Sequence, residues 1–107
     1  MVVRALQAWA KGALTQQPQV LALGYFGSYA RGDWGVGSDL DLIIVVRTSQ
    51  EPFQRRAAQW DTSGFPVPAD LLVYTSQEWR SLRKTGTLRS ARKDIVWLHC
   101  DPDVDRT

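Results

Sequence analysis

YFGSYARGDWGVGSDLDLIIVV, residues 25 to 46, interrupts a strongly apolar region with four glycines and then opens an aliphatic run with two aspartates, Asp39 and Asp41. Residues two apart on a strand project to the same face. Asp39 and Asp41 are therefore expected side by side, about 6–7 Å apart at Cβ. Bare, such a pair is costly, because two like charges push one pKa upward. A hard divalent cation resolves the conflict, since it binds carboxylate oxygens and can be shared between them. Mg2+ keeps several waters and takes one or two carboxylates together with substrate phosphates. Gly27-Ser28 offers those phosphates a seat at the end of one strand and the start of a helical turn. Glycine lets backbone approach an anion closely, and N–H groups at a helix start favour negative charge. The Ser28 hydroxyl adds a donor. Together these parts imply phosphoryl or nucleotidyl transfer, with a metal between protein carboxylates and a polyphosphate.

Working outward, Val3, Leu6, Ala10, Ala13 and Leu14 recur at helical spacing and predict an amphipathic helix over about 2–16, stopped by Pro18. VLALGYF reads as a strand ending at a turn signal, and YAR as a short helical turn after Ser28. DLDLIIVV reads as a strand covered on both faces, because both alternating sets carry large aliphatic residues. Residues 50–60 predict a helix with Phe53, Ala57 and Trp60 on one face. ADLLVYT is a third strand, and QEWRSLRKT a helix capped by Thr75 or Ser76. Ser76 with Trp79 makes no full capping box. LRSARKD after Gly86 predicts a short helix, IVWLH a last strand, and CDPDVDRT a polar tail. The order implies an α+β (or α/β) domain: one small mixed sheet backed by helices, a single domain over residues 1–107.

Composition excludes several classes. With 107 residues, 44% hydrophobic and 22% charged, the chain can bury a core without disulfides and matches neither disordered nor membrane proteins. No apolar run reaches the length of a spanning helix. The N-terminus carries Lys11 and no apolar block with a cleavage site, so a secretory signal is not expected and a cytoplasmic location is. The lone Cys100 fits a reducing compartment. A net charge of +2 is too small to argue nucleic-acid binding, and a nucleic-acid substrate is not expected. Charge is uneven, however: from Trp79 to Lys93 there is no acid, while Arg80, Arg83, Lys84, Arg89, Arg92 and Lys93 are basic. Such a run is either a solvated helix face or a surface for phosphate or an acidic partner.

Phe26-Gly27-Ser28, ten residues, then Asp39-Leu40-Asp41-Leu42 resembles the signature of the nucleotidyltransferase superfamily that includes DNA polymerase β. The fuller GSYARG…GSDLDL form is similar to the small minimal nucleotidyltransferase (MNT) proteins. The resemblance covers about residues 20–75. It implies a nucleotidyltransferase fold and transfer of a nucleoside monophosphate, AMP from ATP, to an acceptor hydroxyl. It implies that Asp39 and Asp41 bind Mg2+, and that Asp70 on a neighbouring strand is the third carboxylate, completing the metal set and helping to deprotonate the acceptor. Gly27 and Ser28 are then expected to hold the β- and γ-phosphates, with Arg31 contacting phosphate or bracing the loop. Trp34 and Tyr29 are candidates to stack on the base. His99 is expected as a strand-end residue rather than a base, and Ser38 as a turn residue. The resemblance further implies a HEPN-domain toxin as partner, modified on a tyrosine by the MNT antitoxin; the acceptor surface is expected either from a neighbouring subunit of a homo- or hetero-oligomer or from an acceptor protein that itself docks on the core. The alternatives are a small-molecule, antibiotic-like nucleotidyltransferase and a non-catalytic antitoxin acting by occlusion.

Overall fold

The computed structural model describes residues 2–33, 35, 37–86 and 93–101. The amphipathic N-terminal segment forms α1, Val2–Gln16. Strand β1, Val20–Phe26, runs into a single helical turn, α2, Ser28–Arg31. The aliphatic run forms β2, Leu40–Val46. Helix α3, Phe53–Arg56, continues as a 3-10 turn over Ala57–Gln59. Strand β3, Ala69–Thr75, leads directly into α4, Ser76–Thr85, and β4 is Val96–Cys100. The four strands make one mixed sheet in the order β3-β2-β1-β4. β2 and β3 are parallel, whereas β1 is antiparallel to both β2 and β4. This is the expected α+β fold. Among the described residues, no helix is long and apolar enough to cross a membrane.

The two alternating sets of β2 explain how the sheet is covered. Leu40, Leu42, Ile44 and Val46 are buried with Leu6 and Ala10 of α1 and with Phe65. Ile43 and Val45 pack with Ala22 and with Trp79 of α4 on the opposite face. Each fully buried Leu or Ile side chain contributes about 1.5–3 kcal/mol by leaving water, so β2 is the centre of the core. Gly24 lets β4 lie close. A Cβ there would sit 2.6 Å from the Val96 carbonyl oxygen, and the β1–β4 register shifts at that point, between Leu23 and Gly24.

Two expectations are corrected. Residues 50–60 are not one helix with a shared face. The α turn ends at Arg56 and Trp60 is extended, with φ −119° and ψ 134°. Phe53 stacks on Tyr74 at 5.0 Å, whereas Trp60 meets Trp9 of α1 at 6.2 Å. The short segment splits because its aromatics serve different clusters. The second correction concerns α4, which does have a full capping box. Its N-cap is Thr75, so the N3 partner is Glu78 rather than Trp79. Thr75 Oγ1 accepts from the Glu78 N–H at 3.2 Å, and the Thr75 N–H donates to Glu78 Oε1 at 2.9 Å. β3 running straight into α4 sets that frame. Of the helix expected after Gly86, residues 87–92 lie outside the described residues and only Lys93 and Asp94 are seen as helical; most of the polar tail, 102–107, also lies outside them.

Sequence reading missed Arg56, which is 6% exposed. Its Nε donates to the Glu51 carbonyl at 2.8 Å, Nη1 to the Val73 carbonyl at 3.1 Å, and Nη2 to Glu78 Oε2 at 3.1 Å; Nη1 also contacts Glu78 Oε1. The guanidinium thus ties α3 to edge strand β3 and to the first turn of α4. A planar fork suits such a bidentate carboxylate contact. The Arg56 hydrogen bond, helped by the Thr75 N–H, holds Glu78 below its ordinary value of 4.5. Stabilisation from Glu78 is therefore complete above its unfolded pKa and is lost as pH falls through the lower folded one. Urea midpoints should be lower for Glu78→Gln than for wild type at pH 7, and that gap should close on acidification. Arg56→Met should cost about 2 kcal/mol, because it leaves two backbone carbonyls and a carboxylate without their donor.

Candidate functional site

The site is built at one end of β2 and β3. Parallel pairing places Asp41 directly beside Asp70. On β2, Asp41 belongs to the alternating set of Ile43 and Val45; on β3, Asp70 belongs to that of Tyr74. Both therefore lie on the face that α4 covers further along. Asp39 immediately precedes β2 and is exposed, as is Asp70, whereas Asp41 is half-buried. Burial pushes the Asp41 carboxyl above its usual range, and the charges of Asp70 and then Asp39 push it further in the same direction. Arg31 opposes them. The three predicted carboxylates and the arginine thus form one electrostatic cluster, although Asp70 is far from the first pair in sequence.

Gly27 joins β1 to α2 beside this cluster. Its φ of 74° and ψ of −149° fall in a region essentially closed to residues with a Cβ. A Cβ built there would also collide with the Asp41 carboxylate. Backbone and carboxylate are thus in direct apposition, which Phe26 pairing with Asp41 across the β1–β2 ladder enforces. Ser28 opens α2, one residue past that apposition. Arg31 closes α2. Its Nε bonds Asp33 Oδ2 at 3.1 Å, and its Nη1 lies 3.5 Å from Asp94 Oδ2. It braces the loop.

The remaining candidates separate clearly. Ser38 is a turn residue, its Oγ accepting from the Gly35 N–H at 2.9 Å. Tyr29 packs partly against the cluster of Leu6, Leu40 and Leu42. Trp34 lies outside the described residues, as do Arg89 and Arg92 of the basic stretch. His99 is exposed on β4, paired with Leu23. A groove of about 540 Å3, lined by residues that include Phe53, Tyr74, Gln77 and Leu82, lies toward the other end of β3 from Asp70. It is not part of the carboxylate cluster.

Can these residues hold a divalent cation? Among the described residues, no three His, Cys, Asp or Glu side chains stand together as a ready-closed metal site. The donor chemistry nevertheless fits one. A half-buried carboxylate with two more carboxylates acting on it gathers negative charge at one place, and an all-oxygen carboxylate set suits Mg2+. Asp39, Asp41 and Asp70 are the residues that would hold it.

The family comparison decides the class. Residues 8–98 match the family described as the nucleotidyltransferase domain. The chain belongs to that family. The match extends beyond the 20–75 of the sequence resemblance and contains every candidate site residue. In structure, this nucleotidyltransferase-domain protein is similar to a "putative nucleotidyltransferase" from Sulfolobus solfataricus, with TM-score 0.63 and 18% identity over 90% of this chain and 78% of that one. At that identity the likeness speaks for the fold alone, which is a nucleotidyltransferase fold. The comparison with curated proteins found no match.

Two substitutions probe the cluster without substrate. A carboxyl whose folded pKa is raised destabilises the folded state once it ionises. Asp41→Asn should therefore raise the melting temperature of metal-free protein at pH 7. Gly27→Ala should lower stability by at least about 1–2 kcal/mol, from the positive φ alone. Calorimetry of both variants checks the pair.

Proposed function

We propose that this nucleotidyltransferase-domain protein transfers AMP from ATP to an acceptor hydroxyl, and that the acceptor is a tyrosine of a HEPN-type toxin partner. The observation that carries the transfer is the in-register pairing of Asp41 with Asp70 next to a glycine turn that has no room for a side chain. The HEPN partnership and the antitoxin role rest on the resemblance of GSYARG and GSDLDL to the minimal nucleotidyltransferases.

In this reading Mg2+, when bound, neutralises the triphosphate and polarises the phosphoryl group under attack. Gly27 and Ser28 seat the β- and γ-phosphates, and the side-chain-free backbone at Gly27 allows the close approach. Arg31 contributes positive charge at the rim. Asp39 and Asp41 are the carboxylates that would hold that ion beside the phosphates. Asp70, the third carboxylate that would hold the ion, helps to take the proton from the acceptor hydroxyl. The acceptor oxygen then forms a bond to the α-phosphorus while the bond to the bridging oxygen of pyrophosphate breaks. The electron pair of that bond leaves with pyrophosphate. Positioning and electrostatics supply most of the rate, as expected for a reaction that asks little covalent work of the protein.

The test is a transfer assay with ATP labelled on the α-phosphate, MgCl2 and the purified product of the adjacent open reading frame, which this reading expects to be a HEPN protein. Label should appear on the HEPN protein and should fall at least about a hundredfold in Asp39→Asn, Asp41→Asn and Asp70→Asn, about 2.7 kcal/mol of barrier. Label on an aminoglycoside instead would identify a small-molecule transferase. Protection from toxicity that survives all three substitutions would identify occlusion without catalysis.

A further inference from the structure

Arg31 is held by two carboxylates of different origin. Asp33 lies two residues further along the same loop. Asp94 comes from the far end of the chain, two residues before β4. β4 is hydrogen-bonded to β1, with Val96 opposite Tyr25, and β1 is the strand that ends in the Gly27 turn. The sheet ladder therefore sets where Asp94 stands relative to the glycine turn and the carboxylate cluster. We propose that Asp94 is a positioning residue for the nucleotide: through its contact with Arg31 it fixes the guanidinium at the rim of the carboxylate site, as a clamp for the triphosphate. This rests on the nucleotidyl-transfer reading above.

Three observations support the assignment. First, the contact is poorly suited to stability. The Arg31 and Asp94 side chains are 47% and 33% exposed, and exposed ion pairs contribute little to folding. Second, Asp33 and Asp94 add negative charge near a site that already carries three carboxylates. For binding a polyanion that is unfavourable, unless what they provide is the orientation of a cation. Third, Arg31 closes α2, the single helical turn that starts directly after Gly27, where backbone abuts the Asp41 carboxylate, so the residue is rooted one turn from the cluster. Its guanidinium links that turn to the segment entering β4. Its contacts use Nε and Nη1, and a guanidinium carries five N–H donors in a rigid fork, so it can keep both carboxylates and still reach phosphate.

The test is a fluorescence titration with N-methylanthraniloyl-ATP and MgCl2 on full-length protein, with melting curves to confirm folding. Asp94→Asn should raise Kd about fivefold, the scale of one misplaced charge-assisted hydrogen bond, while the melting temperature stays near that of wild type. Asp94→Glu should restore Kd to within about twofold. The decisive arm is the double variant: Asp94→Asn should have no further effect in an Arg31→Ala background, because it acts through Arg31. Unchanged or tighter binding by Asp94→Asn in the wild-type background would overturn the proposal, as would an undiminished loss in the double variant. Wild-type protein that binds no nucleotide would remove the nucleotidyl-transfer reading, and this inference with it. Wild-type binding with indifferent Asp94 variants would remove this inference alone.

Discussion

Two carboxylates on adjacent parallel strands, Asp41 and Asp70, stand directly opposite each other, and the functional reading of this protein depends on that register. A shift of one residue in the β2–β3 pairing would turn one of them to the face packed under α1. The hydrophobic core makes such a shift expensive. Leu42, Ile44 and Val46 are buried on one side and Ile43 and Val45 on the other. The repulsion at the end of the strands is thus held in place by apolar packing along their length. A buried sheet supplies the free energy that keeps like charges together.

The edge of the sheet is organised by a different charge. β3 is an outer strand, and an outer strand exposes backbone groups that must be satisfied. At its C-terminal end the Val73 carbonyl receives Arg56 and the Thr75 N–H donates to Glu78, while Arg56 and Glu78 bond each other. One ion pair thus closes the strand edge, caps α4 and anchors α3. At the opposite end, Asp70 has no such closure described and remains exposed. The strand is sealed where it meets the helix and open to solvent where it carries the carboxylate.

Much of this was legible in the residues. Apolar runs bounded by turn signals located β1, β2 and β3 almost to the residue, and β2, buried on both faces, carries an unbroken aliphatic signature. Gly27, Ser28, Asp39 and Asp41 were legible as one local motif, within a single strand–turn–strand unit. Asp70 required the further inference that its strand lies next to β2, and the parallel register supplies it. The helix expected over 50–60 failed because periodicity cannot tell which cluster an aromatic residue joins. The capping box was missed by one residue, since the junction of β3 and α4 is set by where strand pairing ends.

The sequence by itself determined the α+β class, the glycine turn and the paired acids, because each is a local consequence of residue type and spacing. Only the tertiary structure decided that Asp41 faces Asp70, that Arg31 reaches Asp94 beside β4, and that Arg56 is buried against Glu78. Those contacts join residues far apart in the chain. Their partners are chosen by sheet order and register, which balance the packing of every strand at once and leave no mark on any single segment.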